Sequence, residues 1–309
     1  MASSVVADAG IAPRGRRNGM QRFMRRRSTV AFSLALPLIL LIAGLVLYPA
    51  FFSMYLSTLD RTMEEFRGLR NLEFLLGFDT FWMVVKQTCI FAVSAVFFKA
   101  LIGFVVAHFV HNLPAKGQRK WRGMLLVPWV IPTAMSTLGW FWLFDPSYSA
   151  FNWVLTRIGI QPISWLGETS WARFSVILVN VWYGAPFFLI MYLAALKSVP
   201  EQLYEAAAID GANWWQKVWF ITFPMMRNII AITMLFSLIV TFANFDIVRI
   251  LTSGGPVDTT HVFATWAFKL GIEGNNIPMG ATVSLFMLPI LGLAAIFILR
   301  DVNRRGNQA

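Results

Sequence analysis

Six long runs of apolar residues dominate this sequence, and they restrict its fold more than any other feature. The runs cover residues 30–56, 84–109, 122–144, 174–195, 228–252 and 278–299. A run of about 18 or more apolar residues is long enough to cross the hydrocarbon core of a membrane as a helix. Only 13% of the residues are charged and the mean hydropathy is +0.62, which leaves too few charges to cover a soluble surface. The sequence therefore predicts an all-α membrane protein with six transmembrane helices.

Basic residues are unevenly distributed among the segments outside the apolar runs. The loop 110–121 holds three basic residues and no acidic one, whereas the stretch 57–80 holds three basic and five acidic residues. The positive-inside rule then places both termini and the loop 110–121 in the cytoplasm. We expect a cytoplasmic Arg-rich tail over residues 1–27, a six-span domain over 28–300 and a second cytoplasmic tail over 301–309. The arginines of the first tail are Arg14, Arg16, Arg17, Arg22, Arg25, Arg26 and Arg27.

The basic N-terminus and the net charge of +11 allow two other interpretations, nucleic-acid binding and a secretory signal. Nucleic-acid-binding surfaces interleave basic residues with accessible aromatic ones, which these clusters do not. A signal peptide has an apolar core of about 7–15 residues followed by a small-residue cleavage site. The run from Val30 to Leu56 is too long for such a core and lacks the site. We therefore interpret it as a retained span and expect no nucleic-acid partner.

One predicted cytoplasmic loop, residues 196–227, departs from the basic pattern because its acidic and basic residues balance. Ser198-Val199-Pro200-Glu201 has the sequence of a capping box and predicts the start of a short helix. Gly211 predicts the end of that helix, Asn213 to Phe220 form a second amphipathic piece, and Pro224 is expected to break the chain before the fifth span. Interfacial helices that bind headgroups favour Lys and Arg, so this loop fits docking into a protein groove better than membrane anchoring.

Within this loop, Glu205-Ala206-Ala207 is followed at fixed spacing by a glycine, an isoleucine, a phenylalanine and a proline. The pattern resembles the EAA motif of binding-protein-dependent ABC importer permeases, EAA-x3-G-x9-I-x-L-P, with phenylalanine in place of leucine. The resemblance implies a type I ABC importer permease fold in the bacterial cytoplasmic (inner) membrane, with residues 198–224 as the loop of a cytoplasmic coupling helix. It further implies that a separate ATPase is contacted by Glu205, Ala206, Ala207, Gly211, Ile221, Phe223 and Pro224.

A second motif, Leu251-Thr252-Ser253-Gly254-Gly255-Pro256, resembles the L-T-x-G-G-P turn of carbohydrate-importer permeases related to the larger maltose-transporter permease subunit. By itself a Gly-Gly-Pro sequence is typical of any turn that leaves a membrane helix. Following the EAA motif, it implies a sugar or related polyol as the solute. The partners implied are a second, non-identical permease subunit, a homodimeric P-loop ATPase and an extracytoplasmic solute-binding protein.

The sequence offers no catalytic or cofactor site of its own. It contains no G-x4-G-K-[ST] loop, with which P-loop proteins hold ATP phosphates. Its three histidines (His108, His111 and His261) and Cys89 have no zinc-ligand spacing. A membrane-anchored enzyme would need a catalytic constellation in the short loops, and none stands out. We expect no metal and no cofactor on this chain, with ATP and Mg²⁺ bound by the partner ATPase.

Polar side chains recur at helical spacing in the fourth and fifth predicted spans. Amides, hydroxyls and aromatic rings suit an uncharged polyol, but small and polar residues also hold membrane helices together. The residues alone leave both explanations open. The resemblance to maltose permeases favours solute contact, since the sugar-contacting positions fall on most of this set. The candidate substrate-binding residues are Asn180, Tyr183, Gly184, Phe187, Ser237, Val240, Thr241 and Asn244.

Four charged residues lie within predicted spans. Lys86 is near an outer end and can reach water, whereas Lys99 is deeper and faces a partner or a cavity. Asp246 and Arg249 are three residues apart on one helix and are predicted to pair. An anionic solute such as a glycerol phosphate would need a cation in the pathway, which Lys99 could supply. Such a solute therefore remains an alternative to a neutral sugar. A secondary transporter is a further alternative, but it would need inverted repeats or an ionisable coupling residue.

Overall fold

The computed structural model describes residues 27–147 and 149–306, so the predicted tail 1–27 lies outside the described residues apart from Arg27. The chain divides into two compact units, Met1–Phe52 and Ser53–Ala309. Within the described residues there is no β-sheet, and the only β-type pairing is an isolated bridge between Leu59 and Phe66. The prediction of an all-α protein is confirmed.

The first described segment is a long apolar helix. Helix α1 (Arg27–Ile42) passes through a π-helical turn (Ala43–Leu47) into α2 (Tyr48–Ser57). The part Leu34–Ser57 is long and apolar enough to cross a membrane. Large apolar side chains along it, such as that of Leu45, are exposed. An apolar surface of this length is matched to lipid rather than to water.

The second unit contains the remaining helices of the described chain. Five helices of the described chain are long and apolar enough to span a membrane: Leu34–Ser57, Asp79–His111, Thr169–Lys197, Trp214–Phe242 and Ile277–Arg300. The elements of the second unit are α3 (Arg70–Leu76), α4 (Asp79–His111), α5 (Ala115–Leu125), α6 (Val127–Val130), α7 (Thr133–Leu143), α8 (Ala150–Arg157), α9 (Thr169–Lys197), α10 (Glu201–Ile209), α11 (Trp214–Lys217), a π turn (Val218–Thr222), α12 (Phe223–Phe242), α13 (Asp246–Leu251), α14 (Phe263–Phe268), a π turn (Lys269–Glu273), α15 (Ile277–Leu285) and α16 (Met287–Gly306).

The third predicted span, 122–144, is not one continuous helix. Its residues lie in α5, α6 and α7, which are separated at Leu126 and at Ile131–Pro132. Ile131 is extended (ψ 134°), as expected for a residue before proline, because the proline ring disfavours a helical conformation there. Five helices long and apolar enough to span a membrane are therefore seen in the described residues where six were predicted, and a sixth crossing by these short helices stays a prediction.

Two further boundaries differ from the prediction. The fifth span was expected over 228–252, but α12 ends at Phe242 and the chain turns before α13 begins at Asp246. The sixth span was expected over 278–299, but α16 continues to Gly306, into the predicted cytoplasmic tail 301–309, which stays a prediction. Both differences arise because an apolar run marks burial in lipid, whereas helix ends depend on local hydrogen bonding.

Helices α4 and α9 pack closely along each other and form the centre of the second unit. Gly103 of α4 lies directly against α9, where an added Cβ would be 2.4 Å from Cβ of Phe188. Small residues at such crossings let membrane helices approach each other closely. One buried cluster around this contact includes Val96, Phe188 and Tyr192, and Met226 of α12 joins it. The pair therefore provides a fixed support for α12.

Candidate functional site

The EAA motif lies in a compact hairpin, residues 201–224, which we call the EAA hairpin. It consists of α10, a tight turn at Gly211, and α11 with the π turn that follows it. Gly211 has φ +77°, and the N–H groups of Gly211 and Ala212 donate to the carbonyls of Ala208 and Ala207 at 3.1 and 2.8 Å. Glycine is the residue that adopts this left-handed helix end without steric cost. The motif glycine is therefore required by the backbone of the hairpin.

The predicted capping box at the start of this hairpin is wrong. The Ser198 hydroxyl donates to the carbonyl of Ala195 at 2.7 Å within the last turn of α9, and α10 begins after Pro200 without a side-chain cap. The capping box lies instead at α11. There the Asn213 side chain accepts from the Gln216 N–H at 2.9 Å, and the Gln216 side chain accepts from the Asn213 N–H at 2.7 Å.

The predicted chain break at Pro224 is also wrong. The chain is helical from Trp214 to Phe242, and Pro224 lies in the first turn of α12, directly after the π turn. Proline is tolerated at this position because an N–H in the first turn of a helix has no partner within the helix. The EAA hairpin therefore continues directly into the spanning helix that follows it.

A hydrogen bond fastens the two arms of the EAA hairpin together. The hydroxyls of Tyr204 in α10 and Thr222 in the π turn are 2.9 Å apart, and Thr222 is buried. Tyr204 and Ile221 also pack against the buried cluster that contains Tyr192. These contacts fix the hairpin to the helices of the second unit, so it is positioned as a rigid projection.

The outer face of the EAA hairpin is exposed and largely apolar. Ile209 is 88% exposed, Phe220 77% and Trp215 64%, while Glu205 and Ala206 are exposed on α10. A surface of exposed large apolar side chains rimmed by polar residues is typical of a protein or membrane interaction site. Of the predicted coupling residues, Ile221 is turned inward and half-buried, and Phe223 and Pro224 are exposed.

The second motif forms a turn, residues 251–262, which we call the GGP turn. Gly254 has φ +89°, and an added Cβ there would be 2.1 Å from the ring of His261. The hydroxyls of Thr252 and Thr260 are 2.8 Å apart, and the Thr260 hydroxyl donates to the carbonyl of Gly255 at 2.6 Å. Gly254 is therefore needed both for its backbone conformation and for the space that the histidine ring occupies.

His261 is a buried histidine at the centre of the GGP turn. Its Nδ1 is 3.0 Å from the Thr265 hydroxyl and its Nε2 is 3.3 Å from Asp258, which also pairs with Lys269. Burial lowers the pKa of His261 to about 4; the Asp258 carboxylate acts in the opposite direction, and Lys269 adds to the lowering. Burial has the larger effect because it excludes water from the ring, so His261 is neutral near pH 7.

Lys99 lies where three helices meet. Its ammonium group, on α4, donates to the Thr241 hydroxyl of α12 at 2.8 Å, and Thr241 in turn donates to the carbonyl of Ser237 at 2.6 Å. The Lys99 stem lies over Gly184 of α9, where an added Cβ would be 2.5 Å from Cδ of Lys99. Lys99 is only 4% exposed. The structure therefore brings Gly184, Ser237 and Thr241 together around a lysine.

The other predicted substrate residues lie near these three along α9 and α12. Asn180 is buried, Tyr183 and Phe187 are half-buried, and Val240 is 52% exposed. The Phe187 ring packs against Trp129 and Phe236, at centroid distances of 5.9 and 5.3 Å. Asn244 lies beyond the end of α12, in the turn before α13, so it does not continue the predicted stripe on one helix.

Several buried amide atoms in this region have no hydrogen-bond partner in the part of the chain that the structure describes. They are the side-chain oxygens of Asn180 and Asn244 and both polar atoms of Gln87, a residue of α4 that is 1% exposed. A buried polar group without a partner is costly and calls for a water molecule or a ligand. Gln87 was not predicted as a site residue, although a polar amide within an apolar run is itself a signal of a functional position.

The predicted pair between Asp246 and Arg249 does not form. The guanidinium of Arg249 is 2.5 Å from the carboxylate of Glu273, and it lies 5.1 Å from the centre of the Phe268 ring. Asp246 is exposed in the first turn of α13. The three-residue spacing of Asp246 and Arg249 made a pair within α13 geometrically possible. The π turn after α14 instead brings the carboxylate of Glu273 to Arg249.

The histidines of α4 do not form part of a metal cluster. Within the described residues, no group of three His, Cys, Asp or Glu side chains could hold a metal ion. His108 packs against Phe104 and against Trp214 of the EAA hairpin, at centroid distances of 4.8 and 6.0 Å. This contact places the end of α4 beside the hairpin.

The fold and these sites define the chain as a helical membrane protein with several candidate spans and a hairpin whose apolar side chains are exposed. It belongs to the family described as "Binding-protein-dependent transport system inner membrane component", whose model matches residues 99–305. The resemblance drawn from the EAA motif is thus confirmed: the chain is an inner-membrane permease of the ABC importer class.

Sugar-transport permeases are among its relatives. It is 31% identical over 284 residues to the trehalose/maltose transport system permease protein MalF of Thermococcus litoralis, covering 90% of this chain and 95% of the relative. It is 29% identical over 275 residues to the sulfoquinovosyl glycerol transport system permease protein SmoG of Agrobacterium fabrum, covering 89% and 88%. A bacterial alginate ABC transporter, solved with an alginate pentasaccharide-bound periplasmic protein, contains a chain of similar fold, with a TM-score of 0.79 and 22% identity over 90% of this chain and 95% of that one.

Proposed function

We propose that this chain is a permease subunit of an ATP-driven importer and forms part of the pathway for a sugar or related polyol. An extracytoplasmic binding protein delivers the solute, and a second, non-identical permease completes the pathway. The chain performs no catalysis, because ATP and Mg²⁺ are bound and ATP is hydrolysed by a separate homodimeric ATPase. Membership of the importer family and the sugar-transport relatives support this assignment.

The observation that carries the proposal is the EAA hairpin. Its apolar and acidic side chains are exposed on the surface of the protein. The hairpin itself is held together by the bond between Tyr204 and Thr222, and it continues into α12 without a break. A rigid projection on a spanning helix is suited to transmit movement of a docked ATPase to the pathway. Helices α11 and α12 together form the lever in this proposal.

Two alternatives differ in the solute or in the energy source. A phosphorylated or otherwise anionic solute, such as a glycerol phosphate, is favoured by the buried cation Lys99. A secondary transporter would use an ionisable group within its spans for coupling. Asp246, the acidic residue of the predicted fifth span, is exposed in a short helix outside α12, which disfavours this alternative.

A glycine substitution in the EAA hairpin tests the coupling role. Valine at Gly211 cannot adopt φ +77° without a cost of about 1–2 kcal/mol, so the variant Gly211→Val distorts the docking surface. We expect loss of the P-loop ATPase from the purified complex and loss of ATP-driven uptake.

Gly159→Val is the matched control, because Gly159 has φ +80° and open space around it, but lies outside the hairpin. This variant carries the same backbone strain and is expected to keep the ATPase and uptake. Equal effects of the two variants on ATPase association would contradict the assigned role of the EAA hairpin.

A further inference from the structure

The ammonium group of Lys99 is buried, and no counter-charge lies beside it in the part of the chain that the structure describes. Lys99 is 4% exposed, and among the described residues its one hydrogen-bond partner is the neutral hydroxyl of Thr241. Within residues 27–147 and 149–306, no carboxylate lies within 4.0 Å of this ammonium group. The other lysine of α4, Lys86, is exposed and can reach water or headgroups.

A buried charge of this kind is unfavourable unless another charge compensates it. Removing an ammonium group from water costs far more than one hydrogen bond to a hydroxyl returns. Ionisable residues within membrane spans are therefore rare and are typical of functional sites. Helix packing does not explain Lys99, because an uncharged side chain of the same length would fill its space without this cost.

The surroundings of Lys99 are those of a binding site for a polar solute. Its stem lies over half-buried Gly184 of α9, which has no side chain to cover it. One turn earlier on α9, the side-chain oxygen of buried Asn180 has no hydrogen-bond partner among the described residues. Such an oxygen accepts a bond from a hydroxyl, while the ammonium group binds an oxyanion.

From these observations we propose that Lys99 binds an anionic group of the transported solute, which is therefore an acidic saccharide. This inference rests on the proposed function and specifies its substrate class. A carboxylate or sulfonate on the sugar supplies the counter-charge that none of the described residues provides at Lys99. The sugar hydroxyls then bond to neighbouring amides and hydroxyls such as Asn180 and Thr241.

Uptake from a defined mixture tests the inference in the native host. The mixture contains neutral disaccharides in α-1,4, β-1,4 and α-1,6 linkage, and the same disaccharides with a C6 carboxylate in place of the primary alcohol. The amount of each disaccharide taken up during a short incubation is measured by mass spectrometry, and a strain without this chain gives the background. We expect the wild-type strain to accumulate acidic members in preference to their neutral counterparts. In the variant Lys99→Gln their uptake should fall about ten-fold or more while uptake of the neutral members does not fall, because a charge-assisted bond is lost.

Lys86→Gln is the matched control, since it removes an exposed lysine from the same helix and is expected to leave the preference unchanged. A wild-type strain that imports only neutral members, or a Lys99→Gln variant that loses both kinds equally, would overturn the inference and leave the proposed function standing. If no member is imported in a manner that depends on the chain, the assignment to saccharides fails as well.

Thermal unfolding of the purified solute-free complex separates this role from a structural one. Lys99→Met keeps the length of the side chain but removes the buried charge, so we expect a higher unfolding temperature than for the wild type. A lower unfolding temperature would show that the bond to Thr241 holds the helices together, and would count against the inference.

Discussion

Gly184 has no side chain, and the stem of Lys99 occupies the space that a side chain at this position would need. An added Cβ would meet Cδ of Lys99 at 2.5 Å, which is the middle of a flexible side chain rather than backbone. The overlap is therefore relieved by moving the lysine, not by moving a helix. Gly103 differs, because the atoms nearest to its added Cβ are Cβ and backbone atoms of α9.

We expect Gly184→Ala to reduce uptake of the acidic disaccharides about ten-fold and to lower the free energy of unfolding by about 1.5–3 kcal/mol, the contribution of one hydrogen bond to a charged group. The substitution displaces the Lys99 ammonium group from Thr241 and costs about one charge-assisted hydrogen bond at the site. Uptake and thermal unfolding of the same preparations check this. The control is Gly139→Ala, where nothing lies within 4 Å of the added Cβ. A Gly184→Ala protein with normal uptake would contradict the position we assign to Lys99.

Individual residues were predicted from the sequence to different extents. The spacing of the EAA motif was sufficient to place Gly211 at a left-handed turn, since few residues other than glycine fit there. The partner of Arg249 was not predictable, because Glu273 is distant in sequence and approaches only through the fold. The position of Lys99 beside Gly184 and Thr241 also depends on the packing of three helices, which spacing along one helix does not reveal.

Among the elements, the GGP turn owes its shape to buried contacts rather than to its glycines alone. The Thr252, Thr260 and Thr265 hydroxyls satisfy polar groups inside the turn, and His261 fills the space beside Gly254. Because this ring is buried and neutral, protonating it requires the turn to open.

The GGP turn should therefore lose stability on acidification. The pKa of His261 is about 4 in the folded turn, against an ordinary value of 6.5. The open turn binds a proton that the closed turn excludes, so stability is complete above about pH 6.5 and falls as the pH falls towards 4. We expect a loss of about 2 kcal/mol between pH 7 and pH 5, measured as lower amide-exchange protection factors in residues 254–262.

Substitution of the histidine provides the comparison for this measurement. In His261→Gln the pH dependence of protection in the turn should disappear, whereas amides of α9 should show no change in either protein. Protection that is equal at both pH values in the wild type would show that His261 does not link the turn to pH.

The apolar runs predicted which segments are helical better than they predicted where helices end. Hydropathy does not register the effect of Pro132, which makes Ile131 extended and divides the third run into short helices. Conversely, Pro224 was expected to end a helix, but it lies in a first turn where proline is tolerated. The same residue type thus has opposite effects according to its position in the backbone hydrogen-bond pattern.

In the second unit as a whole, α11 and α12 connect the two sites that the proposed function requires. Thr222 bonds to Tyr204 within the EAA hairpin and Thr241 bonds to Lys99, and both threonines lie in the unbroken helical stretch Trp214–Phe242. Nineteen residues of helix separate them, which corresponds to roughly 28 Å. A displacement of the hairpin by a docked ATPase would therefore be transmitted to the solute site along one helix.

Site-specific photo-cross-linking in native membranes tests most directly whether the EAA hairpin docks on an ATPase. The cross-linker replaces Ile209, which is 88% exposed on the hairpin, or Phe66, which is 73% exposed on a separate loop and serves as the control. We predict that mass spectrometry identifies a P-loop ATPase in the product from position 209 and not from position 66. A product from position 209 that contains only lipid, or an ATPase captured equally from both positions, would contradict the account.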